Sequence, residues 1–254
     1  VTGVRQAAAE AIDGPGTPEA RWASWEGLRR LPVAELPVGP VVVVAAHPDD
    51  EVLGFGGSLA ALAEAGTEVR LLSVTDGEGS HPRSARITPD RLAAVRAGEL
   101  RAALAELGLT GPPPRRLSLP DTRVHRHEPQ LRDSIAGLLG EAGAALCVAP
   151  WTGDLHSDHE AAGRAAAAAC LTAGVPLWLY PVWMWHWARP ADPRVPWRSA
   201  VRIPLTSGAL ERKRRAIERF VSQIAPLVDG AENAAILPAE ERAHHSRPYE
   251  VVFR

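Results

Sequence analysis

With 254 residues and a formal charge of −2, the chain can bury a sizeable core and carries no polyelectrolyte signature, so neither nucleic acid nor an anionic membrane is an expected partner. No apolar run approaches the roughly 20 residues of a transmembrane helix, and the opening "VTGVRQAAAEAIDGPG" has no hydrophobic stretch after a basic one, so no secretion signal is expected. Cys147 and Cys170 sit far apart in apolar or alanine-rich surroundings, which points to buried free thiols and a reducing cytoplasm.

Residues 1–38, with "GPGTPEARWASWEGL", read as an N-terminal extension lying over a single domain of residues 39–254. "VVVVAA" (41–46) reads as a strand buried on both faces, followed by strands at "EVRLLSVT" (68–75), "RRLSLP" (115–120), "AALCVAP" (144–150) and "VPLWLYPV" (175–182). "SAVRIPL" (199–205) and "YEVVF" (249–253) are expected as edge or terminal strands. Helices are expected at 56–65, 90–107, 129–142, 157–173 and 208–223. Continuous apolar strands alternating with helices predict a three-layer α/β/α, Rossmann-like domain with a mainly parallel sheet.

In such sheets ligands bind beyond the carboxyl ends of the strands. His47-Pro48-Asp49-Asp50-Glu51 falls just past the end of the first strand, and Gly54, Gly56 and Gly57 then let the backbone turn into a helix. The glycine spacing is not that of a dinucleotide site. A second cluster, "WTGDLHSDHEAAG" (151–163), also leaves an apolar strand and leads into a helix, bringing His156, Asp158 and His159 to the same rim. Two rims of His and Asp above one sheet suggest a metal site, because a catalytic zinc commonly takes three imidazole or carboxylate ligands and leaves one position open. Such a metal lowers the pKa of its water from 15.7 to roughly 7.

"AHPDDEVLGFGGSLA" with a distal "HSDH" resembles the PIG-L (LmbE-like) family of zinc-dependent N-deacetylases. The resemblance extends through "TDGEGSHP", "VRAGELRAALAELGL", "LPDTRV", "KRRAIERFVSQI" and "RPYEVVFR". It implies removal of an acetyl or acyl group from the nitrogen of an amino sugar or glycoconjugate. It implies His47, Asp50 and His159 as zinc ligands, Asp49 as general base toward the attacking water, His156 as acid or electrostatic partner of the tetrahedral intermediate, and Asp158 as the group that orients His156. Where some members carry a His, this chain has Phe220 or Val221. Two histidines and one carboxylate also accept Fe2+ or Co2+.

The residues agree with these roles. His47 and Asp50, three apart in a turn, can converge on one ion with Asp49 displaced to one side, and a carboxylate beside His156 would favour its charged form. Glu51 reads as a supporting or capping group. Arg96 lies on an apolar helical face, where it either snorkels to solvent or forks onto substrate oxygens; the resemblance favours the fork. Asp121 is a turn residue after Pro120 or an acceptor for sugar hydroxyls. Trp183, Trp185 and Trp187 alternate in "PVWMWHWARP", so an extended segment would put three indoles on one side, as packing or as a wall for a sugar ring or apolar aglycone around Trp185. A non-enzymatic sugar-binding protein on this fold and a metallo-β-lactamase-like hydrolase, suggested by "DLHSDH", are the alternatives.

Overall fold

The computed structural model describes residues 12, 14–227 and 234–254. Residues 1–11 and 13 of the expected extension lie outside the described residues. Strand β1 (Val41–Ala45) is fully buried, and its valines alternate between two cores. Val41 and Val43 pack with Phe55, Leu59 and Leu104, whereas Val42 and Val44 pack with Leu131, Ile135 and Ala165. A strand apolar on both sides has to be covered on both sides. Helices α3 (Asp50–Glu64), α4 (Pro89–Glu106) and α8 (Ser207–Ile217) contribute to the first layer; α5 (Glu128–Ala142) and α6 (Ser157–Ala173) form the second.

The other strands are β2 (Val69–Ser73), β3 (Arg115–Arg116), β4 (Leu146–Pro150), β5 (Leu177–Tyr180), β6 (Ala200–Pro204) and β7 (Tyr249–Phe253). They form a seven-stranded sheet in the order β3-β2-β1-β4-β5-β7-β6. The first five of these pair in parallel, and β7 pairs antiparallel with both β5 and β6. Strand order runs one way from β1 through β2 and β3, and the other way from β4 through β5. The crevice at that reversal lies above the adjacent carboxyl ends of β1 and β4, where the two His/Asp clusters leave the sheet.

Several expectations change. Helix α3 begins at Asp50 rather than 56, so the metal-side carboxylate sits in its first turn and the glycines lie inside the helix. Gly54 serves close packing, since a Cβ there would come within 2.1 Å of the Tyr180 ring. The third strand shrinks to two residues. "YEVVF" runs inside the sheet rather than at its edge. Helix 208–223 is split at Phe220, which leaves helical geometry (ψ 57°) to bury its ring, before α9 (Val221–Ile224).

The N-terminal residues form α1 (Glu19–Ser24) and α2 (Glu26–Arg29), then bridge at Val33 to β6. Trp22 is fully buried against Trp185, its Nε1–H donating to the Trp185 carbonyl at 2.8 Å. "MWHW" is itself a short helix, α7 (Met184–Trp187), so the extended alternation does not apply. Among the described residues no helix is long and apolar enough to cross a membrane.

Candidate metal centre

His47 leaves β1 into a tight turn in which its own N–H donates to Asp50 Oδ2 at 2.7 Å. Asp49 caps α3 through its backbone, its carbonyl accepting from the Val52 and Leu53 N–H groups at 2.9 Å each. Its side chain makes no cap bond and turns instead to Arg96, whose Nη2 donates to Asp49 Oδ2 at 3.0 Å. After β4, His156 caps α6 by accepting the Asp158 N–H at Nδ1, and His159 stands in the first turn of that helix.

The three expected ligands converge. His47 Nδ1 lies 3.2 Å from His159 Nε2, His159 Nε2 lies 3.2 Å from Asp50 Oδ1, and His47 Nδ1 lies 3.3 Å from Asp50 Oδ2. A tetrahedral metal with bonds of about 2.0–2.1 Å separates its ligands by about 3.3–3.4 Å, close to these separations, with Asp50 turning Oδ1 to His159 and Oδ2 to His47. The outer nitrogens are held by carboxylates, the usual way in which metal-binding imidazoles are oriented. His159 Nδ1 bonds Asp154 Oδ2 at 2.7 Å. His47 Nε2 faces Asp121 Oδ1 at 3.3 Å and Asp158 Oδ2 at 3.4 Å. Two further potential ligand groups share His47, one with His156 and His159 and one with Asp121 and Asp158, but the carboxylates of the latter already accept backbone N–H groups of Gly79, Thr122 and Val124. They are better suited to fixing His47 than to replacing Asp50.

The electrostatics follow from burial and charge. Burial disfavours a charged His47, yet Asp121, Asp158 and Asp50 outweigh it and hold the pKa well above the ordinary value. Burial likewise opposes ionised Asp50, but His159 and His47 pull it well down. Asp49 is raised to about 6 by burial and Asp50, with Arg96 opposing. Glu51 is raised to about 8 by burial, helped by Asp49 and Asp50 and opposed by the backbone N–H groups of Glu51 and Asp49. His156 is pushed well below its ordinary value by burial and then by the neighbouring His159 and His47.

That last point departs from the expectation of a charged His156 oriented by Asp158. The Asp158 carboxylate turns away to Thr122, Val124 and His47, leaving only its backbone N–H to His156. A neutral His156 that accepts at Nδ1 carries its proton on Nε2. Arg96 and Asp121 both line the cleft. Arg96 is 2 % exposed and spends its Nη groups on protein oxygens, and Asp121 is spent on Gly79 and His47. Trp185 is 4 % exposed, wedged between Trp22 and the Arg247 guanidinium, which sits 4.0 Å over its ring. The indole at the cleft is Trp183.

Asp154 is the functional residue that sequence reading missed. It is fully buried, and it accepts the backbone N–H groups of Val182, Trp183 and Met184 as well as His159. Its only signal was its place five residues before a proposed ligand. The cleft has a volume of about 580 Å³, and its lining includes His47, Asp49, His156, Trp183, Ile236 and Pro238. A donor set for a polarising cation, a neighbouring carboxylate and a neutral N–H donor along one cleft are an arrangement that could hydrolyse an amide held there.

A family model described as PIG-L, GlcNAc-PI de-N-acetylase, matches residues 42–170. A 1D-myo-inositol 2-acetamido-2-deoxy-alpha-D-glucopyranoside deacetylase of Streptomyces avermitilis is 37% identical over 139 residues, covering 52% of this chain and 42% of the relative. A deacetylase of the same name from Kineococcus radiotolerans is 45% identical over 73 residues, 28% of this chain and 20% of the relative. The match thus spans less than half the length of these curated relatives. Among solved structures, the zinc inhibited form of teicoplanin deacetylase Orf2 superposes with a TM-score of 0.62 at 21% identity, covering 84% of this chain and 97% of that one, a likeness of fold. A conserved protein of Thermus thermophilus gives 0.57 at 28% identity, covering 74% and 81%.

Proposed function

This chain belongs to the PIG-L family, and on that premise we propose that it is a zinc-dependent N-deacetylase hydrolysing the amide of an N-acetylated or N-acylated amino sugar, or a conjugate of one. The observation that carries the reading is the 3.2–3.3 Å convergence of His47, Asp50 and His159, beside an Asp49 that the same turn holds out of the set. Zinc held by those three would acidify a water and polarise the amide carbonyl. Asp49, with its pKa raised to about 6, is ionised at neutral pH and basic enough to take the water's proton. His156 offers its Nε2–H to the carbonyl oxygen as charge develops there. The departing nitrogen takes back the proton that Asp49 accepted, which regenerates the base and leaves acetate and a free amine.

Asp121 and Asp158 act on this reading by fixing His47, and Asp154 by fixing His159. Trp183, which lines the same cleft, supplies a flat face for the rest of the substrate. The two free buried thiols suit a reducing compartment, so a cytoplasmic enzyme acting on a small glycoconjugate is part of the same proposal. A non-enzymatic sugar-binding protein would have no use for Asp49 beside an intact ligand set. The mainly parallel sheet does not fit a metallo-β-lactamase-like hydrolase.

A free-amine assay over a panel of N-acetylglucosamine conjugates, run on protein of defined zinc content, tests the proposal. Amine release that scales with bound metal is the expected result. No release from any conjugate at full metal occupancy would overturn it.

A further inference from the structure

The polar contacts of Arg96 lead beyond substrate binding. Its guanidinium lies buried beneath the turn after β1 and reaches three acceptors on two loops. Nη2 donates to the Pro48 carbonyl and to Asp49 Oδ2, both at 3.0 Å, and Nη1 donates to the Gly77 carbonyl at 3.0 Å. The turn needs such support, because Asp49 has φ 154° and ψ −28°, a positive-φ conformation that a residue with a side chain rarely holds unaided. No other protein donor bonds the Asp49 carboxylate among the described residues. The seat is also shaped for the guanidinium: Gly77 has φ 66°, and a Cβ there would lie 2.1 Å from Nη1.

We propose that Arg96 is a positioning residue, a clamp that holds the strained Pro48–Asp49 turn so that the Asp49 carboxylate points at the reacting atoms rather than at the metal. The proposal rests on the deacetylase reading of the site. A planar fork can span two adjacent acceptors of one turn and a third on the next loop, whereas a lysine ammonium is a point donor on a flexible stem. Arg96 therefore acts on the reaction through Asp49, and its contribution disappears when Asp49 no longer serves as base.

The test is a double-mutant cycle of Arg96→Lys with Asp49→Asn, in zinc-loaded full-length protein with metal content checked. Arg96→Lys keeps the charge and should lower kcat by about 10- to 100-fold with KM within about threefold of wild type and metal unchanged. The same substitution should cost less than about twofold in the Asp49→Asn background. Equal losses in both backgrounds, or a raised KM with unchanged kcat, would overturn the clamp in favour of a structural or substrate-contact role. Should wild type release no amine at all, the clamp is still read from a crystal structure of Arg96→Lys. There Asp49 should leave its positive-φ conformation, and an Asp49 unmoved in backbone and carboxylate would sink the proposal independently of the activity.

Discussion

The turns after β1 and β4 and the segment after β5 leave the same end of the sheet, and each carries the residues that drew notice in the sequence. The two turns keep theirs at the crevice. His47 and Asp50 from one meet His159 from the other within 3.3 Å: His47 stands two residues beyond β1, while His159, nine residues beyond β4, is brought to the crevice by the first turn of α6 and its bond to Asp154. The third segment behaves differently. It folds into the short helix α7, which rotates Trp185 inward to Trp22 and leaves Trp183 at the cleft. Topology sets the rim, but distance from the strand does not decide the rest: His159, nine residues beyond β4, reaches the crevice on the first turn of α6, whereas Trp185, five beyond β5, is held away by its packing on Trp22.

Several substitutions would break or sharpen that contrast. The largest effect is expected at the turn after β1, where Asp49→Asn should cost about 10²–10⁴ in kcat while the metal stays bound, as steady-state rates with elemental analysis would show. Next comes the turn after β4. Asp154→Ala removes the partner of His159 Nδ1 and of three backbone N–H groups, and should weaken metal affinity by about 10- to 100-fold, measured by competition with a chelator. The segment after β5 should divide by residue. Trp185→Ala should cost about 3–5 kcal/mol of unfolding free energy in a denaturant titration and leave KM unchanged. Trp183→Ala should instead raise KM by about two- to tenfold, the equivalent of one aromatic contact of 0.5–1.5 kcal/mol, with stability nearly intact. The smallest effect is a matter of pH. Asp49 must be ionised to act, so kcat/KM should fall as pH drops through about 6, or somewhat lower once a bound cation adds to the pull of Arg96.

Sequence patterns carried the layer architecture, the central strands and the two rims, because apolar runs and strand–helix alternation report burial directly. The position of His47, Asp49, Asp50 and His159 on one rim was legible for the same reason, whereas the separate roles expected of them came from the family resemblance. Arg96 was placed on the right helical face, but its partners come from loops 19 to 48 residues away, and no periodicity reveals that a guanidinium will be spent on a strained turn. Asp158 was assigned to its sequence neighbour His156, whereas the fold brings Thr122, Val124 and His47 to its carboxylate. Asp154 looked like one more polar loop residue. Trp185 was misjudged because alternation was read with a strand's period where the chain is helical.

The central claim is that one carboxylate of the turn binds metal and its neighbour does not. Elemental analysis of wild type, His159→Ala, Asp50→Ala and Asp49→Asn, purified in parallel and dialysed against the same zinc buffer, tests it most directly. Near-stoichiometric zinc is expected in wild type and Asp49→Asn, with a strong loss in the other two. Zinc retained in His159→Ala, or lost from Asp49→Asn as fully as from Asp50→Ala, would contradict the assignment.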